Sequence, residues 1–553
     1  MDEQLTASAL ALYGVGAGAA LWTLNKARAR VQLSLAKHPG LAGHPRTARR
    51  VAALLPSYTY DEEQAYGVDG APPDVVARRR AAFARLVQEF QTRYAKTLHA
   101  TTDVVSALSD LQFISAYRVP FQFKKLVGKG LKIGSFVAST EGVTVTDLDG
   151  NRFFDLTGSY GVNLLGNDFY KRSIEEGAAM VRDLGPVLGA YHPCVLENVQ
   201  RLKAISGLDE VSFHMSGTEA VMQAVRLARY HTKRSHLVRF SGSYHGWWED
   251  VQPGPGNPLP PRETHTLKDM DERSLHVLRT RKDIACVLVN PLQALHPNAP
   301  APGDSSLVDS SRKVAYDRAA YTAWLKQLRE VCTQRGIVLI FDEVFLGFRL
   351  APGGAQAYFG VQADMVTYGK TLGGGLPVGV VCGRSAFMKR FREERPGDIC
   401  FARGTFNAHP YVMGAMKAFL DAQQTPEIAR LYEGIDERWD GRADQLNSML
   451  AEQGLPVRVA NMSTVWTVLY TKPSRYNWML QFYLRAHGLA LSWVGSGRLI
   501  FRVNYGDEEF AEVAKRFTQA AQDMQDAGWW DGPEQSNKTI RKGIFREMLR
   551  QPR

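Results

Sequence analysis

A lysine that gives up its proton easily, a carboxylate at the end of a buried strand and a hydroxyl-rich turn before a helix could together hold and activate a phosphate-bearing carbonyl compound. Three segments of this 553-residue chain supply those parts. In DMVTYGKTLGGGLPVGVVCG, Lys370 stands between a strand-like run and Gly369, Gly373, Gly374 and Gly375, so its amine projects into a space with little side-chain bulk. Removed from water, such an amine has a lowered pKa, the condition for forming a Schiff base. In LIFDEVFLGFR, Asp342 ends an apolar run, and a buried carboxylate there needs a partner. A protonated ring nitrogen is a good one, because the pair keeps the ring an electron sink. In FHMSGTEAVMQAVRLARY, a short strand from Val211 leads through Ser216, Gly217 and Thr218 into a helix. Gly217 lets backbone approach a ligand, the two hydroxyls donate, and the helix N-terminus offers free N–H groups and a positive dipole end, so a phosphate is the natural guest. Singly, each has a plainer reading: a surface lysine, a capping or ion-paired aspartate, an ordinary N-cap with Glu219. In this order along one chain they make one site.

The elements that must position them alternate in type. HLVRF from His236, IACVLV from Ile284, GIVLIFDEV from Gly336 and PVGVVCG from Pro377 read as continuous apolar strands, with helical patterns between them. That is the signature of an α/β body whose sheet is covered on both faces. Ahead of it, VTVTDLDGNRFFDLT alternates as a hairpin turning at Asp149, Gly150 and Asn151. Phe83, Leu86, Val87, Phe90 and Tyr94 recur at intervals of three and four, as in an amphipathic helix packed on a larger body.

The two ends differ from this body. From Leu5 to Leu24 the chain carries no charge, and about 20 helical residues just cross a bilayer core of about 30 Å. Trp22 stands near its end, Asp2 and Glu3 precede it, and basic residues follow, which predicts a membrane helix with a short exterior N-terminus and a cytoplasmic body. A buried or interfacial helix is the alternative, because Gly and Ala dominate the run; Gly14 and Gly18 have the spacing that lets two helices approach. The net charge of +11 resides in the flanks, residues 26–50 and 537–553, leaving the body between them nearly neutral. That argues against a nucleic-acid-binding core. The basic, amphipathic C-terminal segment reads as a solvated helix with one docked face, or as a contact for an anionic leaflet. Five scattered cysteines indicate neither a disulfide framework nor a metal site, and no metal is expected.

From about residue 118 to 525 the chain resembles the class III, fold-type-I aminotransferases that use pyridoxal 5′-phosphate. The run LIFDEVFLGFRLAPGGAQAYFGVQADMVTYGKTLGGGLPVG is similar to their cofactor-attachment signature over its whole length. SFHMSGTEA, YHGWW and VLVNPLQALHPN are most similar to glutamate-1-semialdehyde aminomutase relatives and to aminotransferase domains of lipopeptide and polyketide synthetases. The resemblance implies a large domain, residues 186–425, with a mostly parallel seven-stranded sheet, and a small C-terminal α+β domain, 426–530. Before them stand an N-terminal membrane helix and basic flank (1–38), a linker (39–76), a helical extension (77–117) and a segment with the hairpin (118–185); a basic tail (531–553) follows. It implies that Lys370 forms the Schiff base and moves protons, Asp342 pairs with the ring nitrogen, Val344 lies behind the ring and Tyr244 stacks on its other face. Ser216, Gly217 and Thr218 hold the phosphate, with His245 as a further contact and Gln293 near the 3′-oxygen. Thr405 of GTFNAHP reaches the phosphate of the neighbouring subunit, so a homodimer with shared sites is implied. Ser159 and Tyr160 line the substrate pocket, and Arg118 is the local match to a carboxylate-binding arginine. The chain departs from the family pattern at Asn290-Pro291, where many members have Glu-Pro, and at GNDFY, where they read GHxHP.

These readings lead to amino transfer from an amino-acid donor to a keto, aldehyde or acyl-thioester acceptor, lipid-like given the membrane-type end, on the cytoplasmic face of the inner membrane. The rivals are an aminomutase acting within one substrate and a non-catalytic membrane-tethered scaffold.

Overall fold

The computed structural model describes residues 2–252, 254–259, 262–298, 310, 312, 314–492 and 497–550, with backbone alone for residues 2–16, 42 and 129. Strands β1 (Val137–Glu141), β2 (Thr144–Asp147) and β3 (Arg152–Asp155) form the expected antiparallel hairpin region. The large sheet is built from β4 (Glu210–His214), β5 (His236–Phe240), β6 (Thr264–Leu267), β7 (Ile284–Val289), β8 (Val338–Asp342), β9 (Met365–Gly369) and β10 (Gly379–Gly383). Their order is β4-β10-β9-β8-β7-β5-β6, with β10 antiparallel to both neighbours and the other pairings parallel.

Residues of β7 to β10 are all buried, because both faces of the sheet are covered. Period two sorts them. Val338 and Ile340 of β8 face one apolar cluster with Val221, Ala224 and Val225 of the helix Gly217–Thr232. Leu339 and Phe341 face the other, with Leu325 and Leu328 of the helix Arg318–Arg335. The register Asp342↔Thr367 and Gly369↔Gly379↔His214 then brings the ends of β8, β9 and β4 to one edge.

The small domain carries a three-stranded antiparallel sheet, Val457–Met462, Val465–Tyr470 and Arg498–Ile500, packed through Trp439, Trp466, Phe501 and Phe510 against the helices Ile435–Glu452 and Asp507–Asp526. Leu489–Ala490 runs parallel beside β3, and Arg502 bonds Asp155 at 2.6 Å, so this domain is tied to the hairpin. In the helix Pro73–Arg93, Phe83, Leu86 and Phe90 are buried as the periodicity predicts, and Val87 packs partly covered beside them. Its Arg79 is fully buried and bonds both carboxylate oxygens of Asp69.

Segment 39–76, read as a linker, is a packed part of the body. Pro45–Leu54 is a helix, and Tyr58, Tyr60, Ala65 and Tyr66 are buried. Its contacts are made by single aromatics without periodicity: Tyr58 and Tyr60 both donate to Glu547, which also binds Arg475. The same contacts fasten the C-terminal helix Asn537–Leu549, whose Ile540 is buried while Phe545 and Leu549 stay exposed.

The backbone of Asp2–Ala36 is one continuous helix. Residues 17–31 are all exposed, Leu21, Trp22 and Leu24 among them, and the helix meets the body at Leu33, Ala36 and Lys37. There Lys37 bridges Leu267 at the carboxyl end of β6. Among the described residues no helix is long and apolar enough to cross a membrane. Most of the apolar run 5–24, and Gly14 of the Gly14/Gly18 pair, lies outside the residues with described side chains.

Candidate active site

The three sequence segments converge at the carboxyl edge of the large sheet. β9 ends at Gly369, and Lys370 follows with φ 48°, in the left-handed region that a side-chain-bearing residue adopts only at a cost. Its Nζ donates to the Tyr160 carbonyl at 2.7 Å and lies 4.7 Å from the centre of the Phe345 ring. Burial pulls the amine down to about 8; the Asp342 charge opposes this, and the Arg349 and Arg498 charges add to it. The neutral, nucleophilic form is thereby accessible near neutral pH.

Asp342, the last residue of β8, is buried. Its Oδ2 meets His245 Nδ1 at 2.7 Å, and its Oδ1 accepts from Val344 N at 3.1 Å and from Thr367 Oγ1 at 3.3 Å. His245 is buried too; desolvation pulls its pKa down while Asp342 holds it up. A neutral imidazole donating Nδ1–H fixes the direction of the carboxylate. Tyr244, next to His245, is 62% exposed with its ring free of the core, and its carbonyl accepts from Asn290 Nδ2 at 3.0 Å. Asn290 Oδ1 also accepts from Leu292 N.

Ser216 is the N-cap of the helix Gly217–Thr232: its Oγ accepts from Glu219 N, and Glu219 Oε2 in turn accepts from Met215 N at 2.9 Å. The capping role leaves the first-turn N–H groups of Gly217 and Thr218, which have no intrahelical acceptor, free for an anion. A Cβ on Gly217 would lie 2.5 Å from Val344 Cγ1, and one on Gly369 would lie 3.2 Å from the same atom. Val344 therefore packs directly on Gly217 and Gly369 at the sheet edge that carries the buried Asp342 carboxylate and the desolvated Lys370 amine, beside the free N–H groups of the helix start. The donor set suits a pyridine aldehyde phosphate.

On the substrate side, Gly158, Ser159, Tyr160 and Gly161 all have positive φ. This left-handed run turns the Tyr160 carbonyl to Lys370. Arg118 lies close enough for the Tyr160 phenol to influence it, and burial lowers its pKa to about 10. Gln293 is placed otherwise than the resemblance implies. Its amide NH2 is held by the Ser241 and His296 carbonyls, both at 2.6 Å, so it braces the loop after β5 and has no N–H left for a ring oxygen. Thr405 is exposed on a turn.

Four residues are not singled out by the sequence. The buried Tyr170 of GNDFY bonds Thr371, next to Lys370, and accepts from Leu164 N. Thr367 touches Asp342. Arg349 crosses to the small domain through Thr464 Oγ1 and the Phe501 carbonyl. Glu343, pushed up to about 7 by burial, caps Ala355 N and Gln356 N. All five cysteines are free and buried. His236, His265 and Asp283 cluster in the part of the sheet remote from Asp342, but Arg281 already occupies Asp283 and its charge discourages a cation.

The class-III aminotransferase family model matches residues 129–249 and 317–520. The glutamate-1-semialdehyde 2,1-aminomutase of Nitratidesulfovibrio vulgaris strain DP4 is 34% identical over 341 residues, 61% of this chain and 77% of the relative. A solved transaminase with bound PLP is 27% identical and covers 79% of this chain and 99% of its own, with TM-score 0.62. The aminomutase of Pseudomonas aeruginosa PAO1 superposes with TM-score 0.64 over 82% of this chain and 100% of its own; at 18% identity it speaks for the fold alone, the fold-type-I architecture. The chain belongs to the class-III aminotransferases, and pyridoxal 5′-phosphate is its cofactor.

Proposed function

We propose that this enzyme carries an amino group from an amino-acid donor to a keto, aldehyde or acyl-thioester acceptor of lipid-like character. It works as a homodimer on the cytoplasmic face of the inner membrane. The observation that carries the catalytic part is the convergence of Lys370, Asp342 and the helix start at Gly217, on which Val344 packs, at one sheet edge. The cofactor, when bound, supplies an electrophilic carbon and an electron sink. Lys370 Nζ is the amine that holds it and, once displaced, the base that moves the proton at the substrate carbon. Asp342, aimed by His245, Thr367 and the Val344 N–H, would pair with the ring nitrogen. Ser216, Gly217 and Thr218 would take the phosphate. Val344 and Tyr244 would bound the ring, and Ser159, Tyr160 and Arg118 would line the substrate side. Thr405, exposed on its turn, serves the phosphate bound by the other subunit.

The lipid part rests on the N-terminal helix, whose exposed Leu21, Trp22, Leu24 and Val31 have no cover in the body, and on the basic residues that follow. Purified holoenzyme offered glutamate, glutamine or alanine as donor should aminate long-chain keto, aldehyde or thioester acceptors. Turnover restricted to small soluble keto acids removes the lipid part. A second reading, intramolecular amino transfer, is favoured by the similarity to the aminomutases. Conversion of glutamate-1-semialdehyde without a separate donor decides for it.

A further inference from the structure

Arg239 of β5 is a buried guanidinium with no acid beside it. Its Nη2 donates to the Ser243 carbonyl and, at 3.1 Å, to Ser243 Oγ, while its Nε has no hydrogen-bond partner. Arg79 and Arg502, also buried, are paired with Asp69 and Asp155. Burial alone acts on Arg239, pulling its pKa down to about 10, so it keeps its charge at neutral pH. A guanidinium drawn out of water without a counter-ion is costly, and the strand interior offers no reason for one there.

Strand register gives its position relative to the site. Arg239 lies opposite Leu288 of β7, and Leu288 lies opposite Ile340 of β8. Ile340 and Asp342, two residues apart, leave the same face of the sheet. Arg239 and Asp342 therefore share that face, two strands and two residues apart, about 12 Å between their Cα atoms. His245 connects them. Its Nδ1 meets Asp342 Oδ2 at 2.7 Å, its Nε2 is buried without a partner, and the Arg239 charge is felt at the ring. Arg239 also holds the turn that carries the imidazole, through the carbonyl and hydroxyl of Ser243.

Among the described residues, the charges that reach His245 are those of Asp342 from β8 and Arg239 from β5. The helix start packs on the adjoining Gly246 through the uncharged Thr218, and the Tyr244 phenol is pushed up by burial and by Asp342. A second proton on the imidazole would make it a cation bound to Asp342, and the carboxylate's charge would be taken up there instead of by a ring nitrogen. Burial opposes that proton, Asp342 favours it, and the like charge of Arg239 opposes it again.

We propose that Arg239 is a positioning residue that acts through His245: it keeps the imidazole neutral and its turn in place, so that the Asp342 charge stays available to the cofactor's ring nitrogen. This rests on the pairing of Asp342 with that nitrogen and adds the residue that maintains it.

The test uses the full-length chain with Arg239→Gln, which keeps a donor for the Ser243 carbonyl without the charge, and Arg239→Lys, which keeps the charge. The His245 ring is followed by NMR through pH in the apoprotein, its resonance assigned with His245→Gln. The expected result is an imidazole that stays neutral down to about pH 5 in the wild type, gains its proton about one pH unit higher in R239Q, and returns toward wild type in R239K. In the holoenzyme the acid limb of kcat against pH should move up by the same interval in R239Q, while the KM for the donor holds. A side chain that merely anchored the turn would be replaced as well by Gln as by Lys, so equal midpoints in the two variants overturn the proposal. A wild-type imidazole that titrates near the ordinary value of 6.5 overturns it without any variant, whether or not R239Q folds. So does an acid limb that stays put while the apoprotein midpoint moves. Asp342→Ala apoprotein that takes up pyridoxal phosphate as tightly as wild type sinks the ring-nitrogen reading instead, and the NMR titration still decides what Arg239 does to His245.

Discussion

Lys370 combines two costs that a surface lysine avoids, a left-handed backbone and a desolvated amine. Both make sense for a residue whose neutral form must meet an aldehyde. Because the neutral amine is the reactive form, capture of pyridoxal phosphate by the apoprotein should speed up as pH rises and level off above about 8. A midpoint near the ordinary lysine value of 10.5 would show that burial does not act as described. The sign for stability follows from the same depression. Between about 8 and 10.5 the unfolded chain keeps a proton that the folded apoprotein has released, so Lys370 adds to stability as pH climbs through that window. Lys370→Ala should lose the absorbance band near about 420 nm and more than about 10³-fold of activity. A band that persists unchanged in this variant would place the cofactor elsewhere.

At the scale of elements, the site is a matter of how closely strand ends and one helix approach. Gly217 is required where it stands, since a methyl there would press on Val344. Gly217→Ala should fold normally yet weaken cofactor binding by about 1–3 kcal/mol, roughly 5- to 150-fold in Kd, measured by fluorescence titration of the apoprotein. Unaltered affinity would mean that Val344 moves aside freely. Tyr170, on the helix Asn167–Met180, fastens the turn after Lys370 through Thr371. Tyr170→Phe leaves the buried Leu164 N–H without its acceptor and should cost about 1–3 kcal/mol in denaturant unfolding. A variant as stable as wild type would show that water replaces the hydroxyl.

At the scale of the molecule, the N-terminal helix is separable from the catalytic body. Its described side chains meet the body from Leu33 onward, so removing residues 1–30 should change stability by no more than about 0.5 kcal/mol and leave cofactor binding intact. Flotation with anionic vesicles should recover the full chain and not the truncated one; equal recovery would assign any membrane contact to another surface. The small domain is not separable in this way. Arg349 and Arg502 bind it to the large domain and the hairpin, and its Ile500 packs against Gly158.

How much of this was legible in advance differs by element. β7 to β10 were readable because strands buried on both faces must be apolar at every position. The packing of segment 39–76 was not, since Tyr58, Tyr60 and Tyr66 are buried singly and leave no period to read. Gln293 was assigned to the ring because a similar motif does so, while the carbonyls that claim its amide come from Ser241 and His296 in the folded loop.

By itself, the sequence determined which groups could do the chemistry. Lys370, Asp342 and the Ser216–Thr218 turn are recognisable because side-chain type, glycine content and the start of a helix are local properties. Only the tertiary structure decided that they share one edge and that Gly158–Gly161 turns a carbonyl onto the lysine. Those depend on register between strands and contacts between residues more than a hundred positions apart, for which no local pattern exists.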